Sequence, residues 1–346
     1  MSDSMLMDVA AQVILGGIEG STLSVRERAF LSERPVLGVT LFRRNMDSLQ
    51  SLHALMREVS TCSAGLARSG PLFAVDQEGG RVSRLHRLGV PDLGPAYEVF
   101  RGHPEEELCM TGYGAQVGLF LKRHGFHLNF APVVDLFDYP QQQAIGDRCF
   151  DRDPERCVER ARAYLAGLQS QGVLGCLKHY PGQGRAKLDT HVAACAVPTS
   201  FAAMESHELL PYSELNAQVK MIMVSHCIFP QVDPQPVYAS RVWLEDILRQ
   251  RLGYTGVIVS DDMTMSAVGQ NDQDLRKTLK NALLAGVDMF LACRNLDFWR
   301  QMMHYMVEEA QSCAAVKARL LQAATRIRSQ LLTPGADVAG VSLVSN

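Results

Sequence analysis

Short apolar runs that alternate with helical stretches constrain the fold of this chain more than any other feature. The runs are rich in Val, Leu, Ile and Met and are too short for independent helices. Continuous apolar runs of this kind fit strands that are buried on both faces of a parallel sheet. The seven predicted strands are Val36–Phe42, Leu72–Val75, Leu128–Val134, Val173–Leu177, Met221–Val224, Val257–Val259 and Val287–Leu291.

Helical stretches separate these runs. Asp153 is placed to cap a helix with Pro154 at its first position, and this helix runs to about Gln171. Ser240 begins another that ends at Gly253. Further predicted helices cover Met46–Ser60, Leu275–Leu284 and residues 296–332, the last in two pieces. Strands that alternate with helices indicate an α/β fold.

A single (β/α)8 TIM-type barrel is the predicted architecture, with an open doubly wound sheet as the alternative. The chain has 346 residues, which suits one barrel with insertions. An eighth strand comes either from Val9–Leu15 or from a run near Val192–Val197. We therefore expect one catalytic domain over residues 1–333 and a loose tail over 334–346.

Composition excludes several classes of function. The net charge is −3 and no basic stripe is present, so nucleic acid is not an expected partner. Nine widely spaced cysteines without a C-x-x-C pair predict neither disulfides nor zinc. The N-terminus is acidic where a signal peptide is basic, and no apolar stretch is long enough to span a membrane. We expect a soluble cytoplasmic protein, and a monomer.

Polar residues follow four of the predicted strands. They are Asp76–Arg81 after LFAV, Lys178–Gly182 after VLGCL, Ser225–His226 after MIMV and Ser260–Asp262 after VIV. In a barrel the carboxyl ends of the strands converge on one face, where active sites are built. A single strand-end Asp or Ser is often only a helix cap, but four such strands together favour a functional site.

No metal or cofactor is predicted. His124 and His127 lack a third ligand nearby, and Asp261-Asp262 fits a helix start as well as a cation site. Gly182-x-Gly184 matches neither the dinucleotide nor the P-loop pattern.

Several motifs together resemble glycoside hydrolase family 3. Lys178–Gly184 (KHYPGQG), four residues and then Asp189-Thr190-His191 resemble its K-H-F-P-G-H-G-x4-D-S-H motif. Departures are Gln183 for the usual His, Tyr180 for Phe and Thr190 for Ser. The segments similar to its β-N-acetylglucosaminidase branch are Asp76–Val82, Ser260–Met263, Ile145–Arg148, Leu41–Asn45 and Ala285–Met289.

The resemblance implies a retaining β-N-acetylhexosaminidase without a metal, acting on muropeptides in peptidoglycan recycling. It implies that Asp261 is the nucleophile and that His191 is the general acid/base with Asp189 as its partner. The residues that match those holding the N-acetylglucosamine ring are Asp76, Arg84, Arg148, Lys178 and His179.

These residue types suit the chemistry. Retaining hydrolysis needs an ionised carboxylate below the sugar and a proton donor beside the leaving oxygen. An imidazole titrates near neutral pH and so needs little tuning to donate and then accept a proton. If residues 189–191 are extended, Asp189 and His191 lie on the same side of the chain.

Several rival assignments remain open on the sequence alone. Asp262 competes with Asp261, and Arg81 competes with Arg84. His226 fits a pocket residue and a core histidine equally well.

Two other functions also remain open. A glycoside phosphorylase is the first, because a neutral imidazole repels a phosphate dianion less than a carboxylate would. The second is a catalytically silent sugar-binding barrel, against which the intact Asp261, Asp189 and His191 argue.

Overall fold

A computed structural model describes residues 1–63, 70–137, 145–186, 195–265 and 272–332. Eight parallel strands form a closed barrel in chain order. They are β1 (Ile14–Gly17), β2 (Gly38–Leu41), β3 (Leu72–Val75), β4 (Leu128–Asn129), β5 (Leu174–Tyr180), β6 (Met221–Val224), β7 (Val257–Asp262) and β8 (Met289–Ala292).

The first and last strands close the barrel. Ile14 and Leu15 of β1 pair with Phe290 and Leu291 of β8, while Leu15 also lies opposite Gly38 of β2. The predicted TIM-type barrel is thus confirmed, and the open sheet is excluded. The N-terminal candidate supplies the missing strand, although the predicted bounds Val9–Leu15 were wrong because the chain is helical up to Ala11.

Helices cover the outside of the barrel. They are α1 (Asp3–Ala11), α2 (Val25–Glu33), α3 (Leu49–Cys62), α4 (Glu106–Arg123), α5 (Pro154–Ser170), α6 (Phe201–Glu205), α7 (Leu210–Leu215), α8 (Asp272–Ala285), α9 (Leu296–Ser312) and α10 (Ala314–Leu331). A π-helix over Val242–Arg251 occupies the place of the helix predicted from Ser240 to Gly253.

The capping predictions are confirmed in detail. The Asp153 side chain accepts a hydrogen bond from the Arg156 amide at 2.9 Å and opens α5 at Pro154. The Ser240 hydroxyl accepts from the Trp243 amide at 3.1 Å. Residues 296–332 form two helices that meet at Cys313. Sequence patterns missed α1, α2, α4, α6 and α7.

Two short hairpins lie at the carboxyl ends of the strands. Gln77–Gly79 pairs with Val82–Ser83 immediately after β3, and Ile228–Phe229 pairs with Asp233–Pro236 after β6. Ala196, from the second region considered for the eighth strand, bridges to Ile228 beside this second hairpin and not within the barrel. The first hairpin lies at the end of the barrel where Asp76 follows β3.

All nine cysteines lie in the described ranges as free thiols, six of them buried. Within those ranges no helix combines the length and the apolar character that crossing a bilayer requires. The tail over 334–346 falls outside the described residues, and the single-domain boundary at residue 333 stays a prediction.

Candidate active site

Gln77 organises the turn that presents the first two acidic groups. Its backbone exchanges hydrogen bonds of 2.9 Å with the side-chain amide of Asn129 on β4. Its own amide binds the Ser83 hydroxyl at 2.9 Å and accepts from the Leu85 backbone at 3.1 Å. Because Gln77 is fixed on both sides, the flanking residues Asp76 and Glu78 are held at the end of β3.

The turn that follows Glu78 needs glycine. Gly79 and Gly80 both have positive φ values, a region that favours glycine. A Cβ on Gly80 would approach the Pro95 backbone within 2.9 Å. This tight turn lets the strand beginning at Val82 fold back beside Gln77.

Four charged side chains, two buried and two partly buried, form a cluster that joins the end of β3, β5 and the loop before α5. Lys178 on β5 donates to Asp76 at 2.8 Å and to Glu78 at 2.6 Å. Arg148 binds Glu78 with two parallel hydrogen bonds of 2.7 and 2.9 Å. Glu78 therefore joins the two cations, and three of the five predicted sugar-binding residues meet in one place.

Burial and pairing oppose each other in this cluster. Burial alone would raise the pKa of the Glu78 carboxyl, but Arg148 and Lys178 outweigh it and hold that pKa far below its usual value. Burial would lower the pKa of Lys178, whereas Asp76 and Glu78 raise it. Glu78, Lys178 and Arg148 are therefore all charged near neutral pH.

His179 is held by a second buried carboxylate. Asp135 accepts from the His179 ring Nδ1 at 2.6 Å and from the His179 amide at 3.1 Å. Its other oxygen accepts from the Gln183 amide at 2.8 Å. Asp135 thus orients the imidazole and also fixes the first turn after β5.

Asp261 and Asp262 end β7 and have different surroundings. Asp262 accepts from the Thr264 hydroxyl at 2.6 Å, from the Thr264 amide at 3.0 Å and from the Cys293 amide at 3.3 Å. Burial raises the pKa of Asp262. Its carboxylate is therefore committed to the local turn, whereas that of Asp261 accepts from the Asp262 amide at 2.8 Å.

The thiol of Cys176 links Asp261 electrostatically to the charged cluster. Burial raises the pKa of Cys176 to about 12, and the carboxylates of Asp76 and Asp261 both add to the rise against the opposing effect of Lys178. The same two carboxylates act on the buried thiol of Cys293. Because the eight strands are parallel, Asp76 after β3, Lys178 near the end of β5 and Asp261 near the end of β7 lie at the same end of the barrel.

His191 and Asp189 lie outside the described residues. The chain on either side of them is anchored on the same face of the barrel. Gln183 binds Asp135, and the Cys195 carbonyl accepts from the Ile228 amide at 2.8 Å. The two anchors thus lie at the carboxyl ends of β5 and β6.

The other candidate site residues, Arg81, Arg84 and His226, have different surroundings. Arg81 donates to the Ile145 carbonyl at 2.6 Å and pairs with Asp147 at 3.2 Å, so it holds the segment that carries Arg148. Arg84 follows the hairpin, and its buried Nε has no hydrogen-bond partner in the described part of the chain. His226 is buried, with Nε2 3.2 Å from the Asp262 carbonyl and its ring against Tyr238.

The two histidines weighed as metal ligands are used in other ways. The Nδ1 of His124 lies 2.9 Å from the Nε2 of His53. The Nδ1 of His127 accepts a hydrogen bond from the Phe73 amide at 3.1 Å. Over the described ranges, no three His, Cys, Asp or Glu side chains are arranged to hold a metal ion.

Two residues of the site escaped sequence reasoning. Glu78 stands two positions after the Asp76 that was noted, and Asp135 is a single acid inside an otherwise apolar stretch. An isolated charge in such a stretch signals a buried ion pair, because burying an unpaired carboxylate is costly. Its partner, however, is 44 positions away in the chain.

Comparison with known proteins agrees with this geometry. The family model described as glycosyl hydrolase family 3 N terminal domain matches residues 7–330. A β-hexosaminidase from Pseudomonas aeruginosa is 37% identical over 299 residues, which cover 85% of this chain and 83% of the relative.

Solved structures show the same fold. A family 3 β-N-acetylglucosaminidase from Paenibacillus superposes with a TM-score of 0.86 at 25% identity, covering 99% of this chain but only 65% of that longer one. NagZ from Neisseria gonorrhoeae, crystallised with N-trifluoroacetyl-D-glucosamine, gives a TM-score of 0.75 at 27% identity over 90% of this chain and 97% of its own. The extent of the family match and the identity to the Pseudomonas relative show that this chain belongs to glycosyl hydrolase family 3.

Proposed function

We propose that this enzyme is a retaining β-N-acetylhexosaminidase that removes terminal N-acetylglucosamine by double displacement. The observation that carries the proposal is the position of Asp261 on the same barrel face as the Asp76–Lys178–Glu78–Arg148 cluster. Relatives with β-hexosaminidase activity and a solved neighbour bound to a glucosamine derivative support this choice of sugar.

The cluster provides the groups that a sugar ring needs. Asp76 offers carboxylate oxygens to ring hydroxyls, while Lys178 and Arg148 donate hydrogen bonds. His179, oriented by Asp135, adds a ring nitrogen, and the Nε of Arg84 adds an unused donor. Since Glu78 fixes both cations before substrate arrives, little conformational entropy is lost on binding.

Asp261 is the proposed nucleophile. Its carboxylate attacks the anomeric carbon as the bond from that carbon to the leaving oxygen breaks, giving a glycosyl-aspartate intermediate. Asp262 is unsuited to this role because Thr264 and Cys293 already occupy its oxygens. The hydrogen bond that Asp261 accepts from the Asp262 amide helps to keep the carboxylate ionised and oriented.

His191 is the proposed acid/base, with Asp189 stabilising its protonated form. The imidazolium donates its proton to the leaving oxygen in the first step. The neutral ring then takes a proton from water, whose oxygen attacks the anomeric carbon and releases Asp261. Both anchors of the segment that carries His191 lie on the catalytic face, which supports this assignment.

The proposed natural substrates are muropeptides ending in 1,6-anhydro-N-acetylmuramic acid, hydrolysed in the cytoplasm during cell-wall recycling by a monomeric enzyme. Nine free thiols are consistent with a reducing compartment. The similarity to NagZ over nearly its whole length supports the substrate class.

Kinetics of three variants on aryl β-N-acetylglucosaminides test the catalytic roles. We expect Asp261→Ala to lose nearly all turnover, while Asp262→Asn, the matched control, keeps a measurable rate with lower stability. His191→Ala should lose far less activity on substrates with good leaving groups, which need little protonation. Equal losses for good and poor leaving groups would argue against His191 as the acid.

A product assay and a binding assay separate the alternative functions. Added phosphate should leave the rate unchanged and yield no sugar phosphate; formation of N-acetylglucosamine 1-phosphate would favour the phosphorylase. Tight binding of N-acetylglucosamine without any turnover would favour a silent barrel. Release of N-acetylglucosamine from a purified anhydro-muropeptide tests the natural substrate, and hydrolysis of aryl glycosides alone would reject that part of the proposal.

A further inference from the structure

Four arginines line a cavity of about 160 Å³ at the amino ends of the strands, the end of the barrel opposite to the catalytic groups. Arg241 and Arg249 belong to the π-helix region, and Arg319 and Arg326 belong to α10. Glu245, Gln322 and the end of α8 complete the wall. The reaction proposed above uses none of these residues.

Asp288, which precedes β8, is the buried anion behind this wall. One of its oxygens accepts from Arg249 at 2.7 Å and from the Ile258 amide at 3.0 Å. The other accepts from Arg326 at 2.5 Å and from Arg319 at 3.4 Å. Asp288 is thus saturated with donors and can neutralise only one of the three guanidinium groups that share it.

The cavity therefore carries an excess of positive charge. Four arginines face only two carboxylates, Asp288 and Glu245, which leaves two charges uncompensated within its wall. Burial lowers the pKa of Arg249, and the neighbouring Arg326 and Arg319 lower it further. Like charges that crowd at a partly buried site repel one another, and a bound anion reduces this repulsion.

Two of the arginines also retain unused donors. Arg249 donates to the carbonyls of Tyr254 and Gly256, and Arg319 donates to that of Leu283. These two arginines therefore also stabilise the local backbone. By contrast, Arg326 uses only Nη1 in its described contacts. Arg241 is exposed and lines the cavity, and its side chain makes no hydrogen bond or ion pair with any described residue.

We propose that this cavity binds a dianionic phosphate group, either free phosphate or the head of a phosphate monoester. Guanidinium groups present paired donors that match phosphate oxygens. A dianion would balance the two excess charges, and the cavity volume suits a single tetrahedral group whose substituent extends into solvent. This inference is independent of the hydrolytic activity.

Direct binding to the full chain tests the proposal. Inorganic phosphate and phenyl phosphate are titrated separately by calorimetry, with sodium chloride at equal ionic strength as the reference and saturating N-acetylglucosamine to block the catalytic face. We expect saturable one-to-one binding of at least one probe. Binding of both identifies a monoester site, and binding of phosphate alone identifies a site for the free ion. Failure of both probes to bind saturably overturns the proposal.

A matched pair of variants on one helix locates the site. Arg326→Gln removes a donor from the cavity, whereas Arg328→Gln removes the same charge from an exposed residue that contacts Gln12 instead. We expect affinity to fall at least tenfold in the first and to be retained in the second. If Arg326→Gln does not fold, Arg241→Gln replaces it. Equal affinity in the cavity variant and in Arg328→Gln overturns the assignment.

Discussion

Glu78 shows how much one side chain contributes to this site. It contacts no group proposed to react, yet it connects Lys178 and Arg148 through three short hydrogen bonds. Without its charge the two cations would repel each other in a region that excludes water. The role of Glu78 is to position these two cations. A substitution of Glu78 should therefore alter substrate affinity more than the rate of the chemical step.

Replacing Glu78 by Gln tests this role at nearly constant shape. We expect KM to rise and kcat/KM to fall roughly tenfold or more, which corresponds to about 1.4 kcal/mol or more of transition-state stabilisation. Glu27→Gln removes another buried carboxylate, which accepts a hydrogen bond from the Ser24 amide at the start of α2. That control should lower stability while KM stays constant; an equal rise in KM in both variants would contradict the positioning role.

The same substitution has a pH signature. The folded-state pKa of Glu78 lies below its usual value of 4.5. The group therefore stabilises the fold fully above pH 4.5, and this contribution is lost as pH falls further. The difference in free energy of unfolding between wild type and Glu78→Gln should be constant above that pH and shrink below it. Chemical denaturation from pH 3 to 7 measures it, and a difference independent of pH would contradict the ion-pair account.

At the scale of elements, three glycines set how closely α4 and α5 approach. A Cβ on Gly114 would come within 2.2 Å of the Tyr164 carbonyl, and one on Gly167 within 2.0 Å of the Thr111 carbonyl. Gly118 faces the Leu168 carbonyl at 2.7 Å. These helices therefore pack backbone against backbone. Tyr164 on α5 accepts a hydrogen bond from Asn129 on β4, whose side chain also donates to the Gln77 carbonyl.

Two glycines on α4 give opposite expectations for the same substitution. Gly114→Ala should lower the free energy of unfolding by several kcal/mol, because the methyl group meets backbone that cannot move without separating the helices. At Gly112 a Cβ meets nothing within 4 Å, so Gly112→Ala should raise stability by about 0.5–1 kcal/mol through helix propensity. Denaturant midpoints measure both, and similar effects at the two positions would refute the close-packing account.

At the scale of the whole molecule, closure of the barrel depends on α9 as well as on strand pairing. Trp299 of α9 is buried and lies directly over Gly16 of β1, where a Cβ would meet its ring within 2.1 Å. Phe30 of α2 packs edge-on against the same ring with centroids 5.1 Å apart. The indole thus covers the seam where the first and last strands meet.

Truncating this indole should destabilise the whole barrel. We expect Trp299→Ala to cost about 3–5 kcal/mol in the free energy of unfolding, the usual range for removing a large buried aromatic side chain. Leu119→Ala, at a position on α4 that is 38% exposed, should change stability by less than about 1 kcal/mol. KM of the folded Trp299→Ala variant should stay near wild type. A loss of stability no larger than that of Leu119→Ala would contradict the role given to the seam.

Local patterns in the sequence were enough to predict the barrel and most of its strands. Runs such as Met221–Val224 became strands with unchanged bounds, and Asp153 with Pro154 marked a helix start correctly. The wrong bounds of the first strand have a local cause. Val9 to Ala11 are apolar enough for a strand, but they belong to a helix that packs against α9 and α10. Strand and helix cannot be separated by hydrophobicity in so short a run.

The amino-acid sequence by itself determined the alternation of strands and helices, the ends at which polar groups gather, and the family to which the motifs point. These are local properties, because each depends on neighbouring residues and the period of their side chains. Only the tertiary structure decided that Glu78 joins Lys178 to Arg148 and that Asp135 orients His179. Contacts between residues 44 to 102 positions apart exist only once the barrel has closed, and no local pattern encodes which partners it brings together.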